Sequence, residues 1–310
     1  MKILFVHHYL REKLHDFRGS IPILAQLFEK KGHNIKHIAK KEWSNFFNVY
    51  REFKPDMIIT CGPIGGIIAI FKRVGLIKCK VVFHWGDNYA EIMGQKWGKN
   101  VISFLENSAV KYSDIVITIS KYRLERGIKK FDKVDKKNIF YLSLGYNPKF
   151  LASAKKIKLP GKNKTKIVYA GEIAHTKNFD KIDELFNKLN NIDFIIIGSK
   201  ECADEKTHPN VFYLGFKPPK EVYSYLKSSD FLLVTENNDS SLKLFEYQVF
   251  GKPIFVPRGR ISKYLSLKNN IYYNDFSEIP ALIKHPKKFK PQKIKTWGQI
   301  SNDYLQIIQK

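Results

Sequence analysis

The run Ser241-Leu242-Lys243-Leu244-Phe245-Glu246-Tyr247 puts a hydroxyl, a cation and a carboxylate in one short stretch. Its pattern predicts a helix. Asp239, Ser240 and Ser241 carry oxygens that can accept the unpaired N–H groups of a first turn. Leu242, Phe245 and Val249 repeat at helical spacing on one apolar face. Gly251 then ends the helix in a left-handed conformation, and Pro253 blocks its return. Ser241, Leu242, Lys243 and Glu246 would therefore stand at the N-terminal turns, where N–H groups and the helix dipole favour a phosphate. A carboxylate one turn in, at Glu246, suits the vicinal hydroxyls of a ribose. The chemistry expected is binding of a ribose-bearing nucleotide diphosphate.

Other candidates sit where apolar runs end. Thr235-Glu236-Asn237-Asn238-Asp239 is a polar loop whose Glu236 and Asn238 can hold sugar hydroxyls, although Asp239 could serve as a plain cap. Gly171 and Gly198 each close a strand in a small-residue turn; an ordinary strand end is the rival for Gly198. Gly19 allows a close backbone approach to a ligand, unless Ser20 is simply a helix N-cap. His84 ends the run Lys80–Phe83, and a lone histidine there is usually structural. Asp87, three residues on, is the better candidate for a base if the reaction inverts stereochemistry.

The elements that must position these residues follow from alternation. Strands are expected at Ile3–Val6, Asn34–Ile38, Asp56–Thr60, Lys80–Phe83, Ile115–Ile119 and Asn138–Leu142. Helices are expected between them, at Ser20–Lys31, Glu42–Phe53, Ile64–Val74, Val101–Tyr112 and Lys121–Lys129. The alternation resumes after Lys166, with strands at Lys166–Tyr169, Asp193–Ile197, Val211–Leu214, Phe231–Val234, Pro253–Phe255 and Ile271–Tyr273. Here the expected helices are Asn178–Leu189, Lys220–Ser228, Leu242–Phe250, Phe276–Ile283 and Trp297–Ile308. Near-continuous apolar strands alternating with helices imply parallel sheets covered on both faces. The expected class is α/β with two Rossmann-like doubly wound domains. Residues 1–152 would form the first domain, 153–166 a lysine-rich linker, 167–295 the second domain and 296–310 a closing helix.

The 310 residues suit two domains, and an apolar fraction of 44% supports a core in each. Lys and Arg number 54 against 29 Asp and Glu, a net charge of +25 that favours anionic partners. The lysines crowd into linkers rather than interleaving with stacking aromatics, which argues against a nucleic-acid binder. Cys61, Cys79 and Cys202 show no metal spacing and fit a reducing compartment. The longest apolar stretch, Ile64–Phe71, is too short to span a bilayer. A cytoplasmic protein is expected.

The stretch around Glu246 resembles the donor-binding signature of GT-B glycosyltransferases, especially the retaining enzymes of family 4. The resemblance extends over essentially the whole chain and implies two domains facing across a cleft. The second Glu of that family's Glu-x7-Glu pattern matches Glu246. The first falls at Asn238, so the chain departs from the pattern, and Glu236 is the nearest substitute. Val168-Tyr169-Ala170-Gly171-Glu172 followed by Lys177 resembles the family's diphosphate-gripping segment. Lys177 matches its Lys, but Glu172 stands in place of its Arg, and Lys243 could supply the missing cation. By the same resemblance Gly19 approaches the donor phosphates, His84 contacts the donor sugar and His175 faces the site. Gly198 lines the nucleotide cleft, and Gly215, Phe216 and Lys217 meet the base.

The implied function is transfer of a sugar from a nucleotide-diphospho-sugar to a hydroxyl of a glycan or lipid-linked acceptor, with retention. No metal or other cofactor is expected, because helix N-termini and lysines can neutralise the leaving diphosphate. The rivals are a catalytically inactive nucleotide-sugar-binding subunit, motivated by Glu172 and Asn238, and an epimerase of the same fold, disfavoured by the sparse acidic set. The stripe Trp43, Phe46, Phe47, Tyr50 and Phe53 reads first as core. Its basic flanks (Lys40, Lys41, Arg51 and Lys54), together with Lys96-Trp97-Gly98-Lys99, also permit peripheral docking on the anionic inner face of a membrane.

Overall fold

The computed structural model describes residues 1–7, 19–87, 89, 98–130, 138–172, 182–199, 208–265, 267–284 and 289–310. They form two compact units, Met1–Leu144 with Trp297–Lys310, and Gly145–Thr296.

Unit 1 holds strands β1 (Lys2–Val6), β2 (Asn34–Ile38), β3 (Met57–Cys61), β4 (Lys80–Trp85), β5 (Ile115–Thr118) and β6 (Ile139–Tyr141). All pair in parallel, in the order β2-β1-β3-β4-β5-β6. Strands β3, β4 and β5 are buried throughout except for Lys80 at the start of β4, as the apolar runs required. The sheet is wound by α1 (Ser20–Lys30), α2 (Phe46–Phe53), α3 (Ile64–Arg73), α4 (Lys99–Tyr112) and α5 (Lys121–Lys130). The segment expected as one helix from Glu42 instead opens as a 3-10 turn, Lys40–Asn45. Glu42 fixes that turn by accepting the backbone N–H of Ala39 at 2.9 Å. The aromatic stripe faces inward: Phe46 is buried, and Trp43, Phe47, Tyr50 and Phe53 pack against its cluster. A Cβ on Gly66 would lie 2.2 Å from the Leu105 carbonyl oxygen, so α3 and α4 touch through a residue with no side chain.

Unit 2 holds β7 (Thr165–Ala170), β8 (Ile192–Ile197), β9 (Val211–Tyr213), β10 (Phe231–Leu233), β11 (Ile254–Pro257) and β12 (Asn270–Tyr273). The order is β12-β11-β10-β7-β8-β9, again all parallel. Its helices are α6 (Pro148–Ser153), α7 (Asp183–Lys188), α8 (Pro219–Ser228), α9 (Leu242–Gln248), α10 (Arg260–Tyr264) and α11 (Ile279–Ile283). Short α6 and α10 had no clear periodicity in the sequence.

Residues 153–166, expected as a linker, belong to unit 2. The serines of α8 satisfy their backbone: Lys155 N donates to Ser224 Oγ at 3.1 Å and Ile157 N to Ser228 Oγ at 2.8 Å. Phe150 of α6 sets its ring edge-on to Tyr223 of α8, which draws the boundary back from 152 to 144. The last helix, α12 (Trp297–Ile308), belongs to unit 1, where Tyr304 meets Phe28 of α1 with ring centroids 5.7 Å apart.

Candidate functional site

In unit 2 the chain runs outward from β7 through β8 to β9, then returns to the other side of β7 with β10. The crossovers therefore diverge between β7 and β10, the kind of switch point at which open α/β sheets bind ligands. The carboxyl ends there deliver Gly171 from one strand and the loop from Val234 to Ser241 from the other.

Lys243 comes from the first turn of α9. Its ammonium donates to Glu236 Oε2 at 3.0 Å and to Tyr169 Oη at 3.2 Å, and lies 4.3 Å from the Tyr169 ring centre. Burial works against that charge. The Glu236 carboxylate outweighs it and, with Tyr169, holds the lysine well above its ordinary pKa. Glu236 is only 7% exposed. Its Oε1 accepts the Ser241 hydroxyl at 2.8 Å. Ser241 was expected to cap α9; it occupies the N-cap position but its side chain makes no cap bond. Gly251 does end the helix region with φ +64°.

Gly171 is where this cation meets backbone. A Cβ there would lie 2.5 Å from Lys243 Nζ. Gly198 backs the same turn with φ +156°, and its own Cβ would overlap the Gly171 carbonyl oxygen. A larger residue at Gly171 would close the space the lysine uses, and one at Gly198 would collide with the Gly171 backbone. Tyr247 braces the turn from below, its hydroxyl accepting Ala170 N at 2.9 Å.

One turn along α9, Glu246 Oε1 accepts the Tyr223 hydroxyl at 2.8 Å, which orients the carboxylate. Asn238 turns inward as a loop brace, its Oδ1 accepting Ser240 N at 3.1 Å and Ser240 Oγ at 2.8 Å. Leu242 opens α9. Phe216, expected at the base, is 65% exposed. The structure thus brings together Gly171, Gly198, Glu236, Ser241 and Lys243. Lys177 and His175 lie outside the described residues.

Gly19, His84 and Asp87 belong to unit 1. Gly19, in extended backbone, is the N-cap residue of α1. Ser20 does not cap; its hydroxyl pairs with His84 Nε2 at 2.8 Å. His84 is 2% exposed and stacks on Tyr304, ring centroids 6.0 Å apart. Burial, reinforced by the Arg123 charge, lowers its pKa to about 4, so the ring is neutral at pH 7. Asp87 is exposed in the turn after β4. Among the described residues no three His, Cys, Asp or Glu side chains gather as a protein-held metal would require.

Tyr169, Tyr223 and Tyr247 were the functional neighbours that sequence reading passed over. A signal existed. A tyrosine inside an apolar strand or helix face must find a partner for its hydroxyl, and all three do so at this site.

Residues 152–261 match the family described as Glycosyl transferases group 1. The chain has the GT-B glycosyltransferase fold. No curated protein matches it in sequence. Among solved structures, a sucrose-phosphate synthase from Thermosynechococcus elongatus superposes with TM-score 0.75 at 10% identity, covering 100% of this chain and 98% of that one. HepE from Anabaena, in complex with UDP and glucose, gives 0.72 at 12% identity, with 100% and 99% covered. A UDP-GlcNAc 2-epimerase from Neisseria meningitidis, bound to UDP-GlcNAc, gives 0.61 at 12%, with 100% of both chains covered. The solved structures that superpose on this chain thus include both transferases and an epimerase; the group 1 match contains every residue of the Lys243 cluster.

Proposed function

We propose that the protein is a glycosyltransferase that moves a sugar from a nucleotide-diphospho-sugar to a hydroxyl acceptor, with retention and without a metal. One observation carries the reading. A largely buried lysine, kept protonated by Glu236 and Tyr169, lies against a glycine turn at the switch point of the segment that matches the group 1 family. In the reaction the bond from the anomeric carbon to the diphosphate breaks and its electrons go to the leaving oxygen, while the acceptor hydroxyl oxygen bonds that carbon on the same face and gives its proton to the departing diphosphate. Lys243 stabilises that developing charge from a fixed, largely desolvated position. Glu236 and Ser241 hold the lysine in place. Glu246, oriented by Tyr223, accepts the ribose hydroxyls, and the Glu236–Asn238 loop meets the sugar.

The test is a thermal-shift and calorimetric screen of UDP-, GDP-, ADP- and dTDP-sugars on the wild type, Glu246→Gln and Lys243→Met. One nucleotide sugar should bind, and each variant should weaken it at least about tenfold, or 1.4 kcal/mol. Failure of every nucleotide sugar to bind the wild type would sink the proposal.

A further inference from the structure

Unit 1 contains a pocket of about 370 Å³ that none of the donor chemistry uses. It lies beside the last residue of β1, Val6, where the crossovers of the first sheet also diverge, between β1 and β3. One wall is the face of α3 formed by Ile64, Ile67, Ile68 and Phe71, spaced i, i+3, i+4 and i+7. The other is Trp43, Phe46 and Phe47 from the 3-10 turn and α2. Its volume falls within the range of roughly 300–1,000 Å³ typical of small-molecule sites.

The lining fixes the ligand class. Among the described residues, Ser44, exposed at the rim, is the one polar lining residue. Trp43 has a donor, but its Nε1 is already given to the His7 carbonyl at 3.0 Å. A sugar, a base or a peptide would strand its polar groups among these walls, whereas a hydrocarbon chain would not. The charge beside the pocket is positive. Lys40 and Lys41 are exposed on the same 3-10 turn that supplies Trp43 and Ser44, and Arg73 is exposed just beyond Phe71 on α3. Glu42, the acid of that turn, is folded back onto Ala39 N.

We propose that this pocket takes the hydrocarbon chain of an anionic amphiphile, whose acidic head group stays outside with Lys40 and Lys41. Its role as the anchor of the sugar acceptor rests on the transferase reading above; its ability to bind does not. Trp43, Phe46 and Phe47 of the aromatic stripe are then a wall for a single chain rather than a surface laid on a bilayer.

The probes are decyl phosphate, decanol and inorganic phosphate, titrated calorimetrically into the full chain. Decyl phosphate should bind the wild type most tightly, decanol several-fold less tightly, and phosphate alone not at all at the same concentrations. Ser44→Trp at the exposed rim and Ile67→Trp in the wall should each weaken decyl phosphate at least tenfold. Joint replacement of Lys40 and Lys41 by Ala should bring decyl phosphate down to the level of decanol. Should Ile67→Trp fail to fold, Ser44→Trp, which disturbs no core, decides alone. No binding of either chain-bearing probe to the wild type would overturn the inference. So would binding that both blocking variants leave unchanged, or association with anionic vesicles and not with monomeric decyl phosphate. Nucleotide-sugar binding, followed in the same samples, should be unchanged in every variant. Its absence from a wild type that still binds decyl phosphate would remove the transferase reading and leave the pocket standing.

Discussion

Lys243 shows how a largely buried charge becomes a structural requirement, one that the proposed transfer would also use. It stays protonated because the Glu236 carboxyl group is 3.0 Å away. Lys243→Met would leave a buried carboxylate without its cation, at an expected cost of about 3 kcal/mol in urea unfolding. Adding Glu236→Gln to that variant should recover most of the stability and none of the nucleotide binding. Separate recovery of the two properties is the decisive result; their joint recovery would show that Lys243 does not touch the donor. His84 makes the opposite case, a group kept neutral. Its folded pKa of about 4 lies below the ordinary 6.5. Between those values the unfolded chain binds a proton that the native state refuses. The stability that His84 contributes is complete above about pH 6.5 and is lost as pH falls toward 4, by up to about 3 kcal/mol. Urea midpoints at pH 7 and pH 4.5 should therefore converge in His84→Gln relative to the wild type; equal pH slopes would refute the buried neutral ring. Spacing made Lys243 and Glu246 legible as a pair on one helix. It could not show that Ser241 would bond Glu236, because that contact needs the loop between them to fold back.

Among the elements, strands were legible almost to the residue, since burial on both faces writes an unbroken apolar run. Helix starts were less so. The segment after Ala39 reads as one amphipathic helix, yet its first turn is 3-10, because Glu42 bonds the Ala39 N–H. Ser20 and Ser241 both looked like caps, and both spend their hydroxyls on tertiary partners, His84 and Glu236. Gly66 exposes another limit of local reading. Replacing it with Ala should gain about 1 kcal/mol by helix propensity. The Leu105 backbone forbids this, and overpacking should reverse the sign to a net loss of about 2 kcal/mol. Equilibrium denaturation of Gly66→Ala checks the sign, and any stabilisation would contradict the contact.

For the whole molecule, unit 1 is closed by residues from the far end of the chain. Trp297, Ile300, Tyr304 and Ile308 are buried on α12, and Lys80 Nζ donates to the Ile308 carbonyl at 3.1 Å. A chain ending at Thr296 should therefore lose the cooperative unfolding of unit 1 while unit 2 keeps its own. Hydrogen exchange would show loss of protection confined to β1–β6, and uniform retention would mean that α12 is dispensable. Unit 2 closes on itself, with Tyr146 and Thr296 bridged at its two ends. The α/β class, the two sheets, the position of Glu246 and the positive charge were determined by sequence alone, because period, burial and composition are local properties of a chain. The tertiary structure decided that Gly171, Glu236 and Lys243 form one site. It also decided that 153–166 is part of a domain and that Trp43, Phe46 and Phe47 wall a pocket. Those outcomes depend on strand order and on which elements touch, and residues far apart in the chain carry no local mark of either.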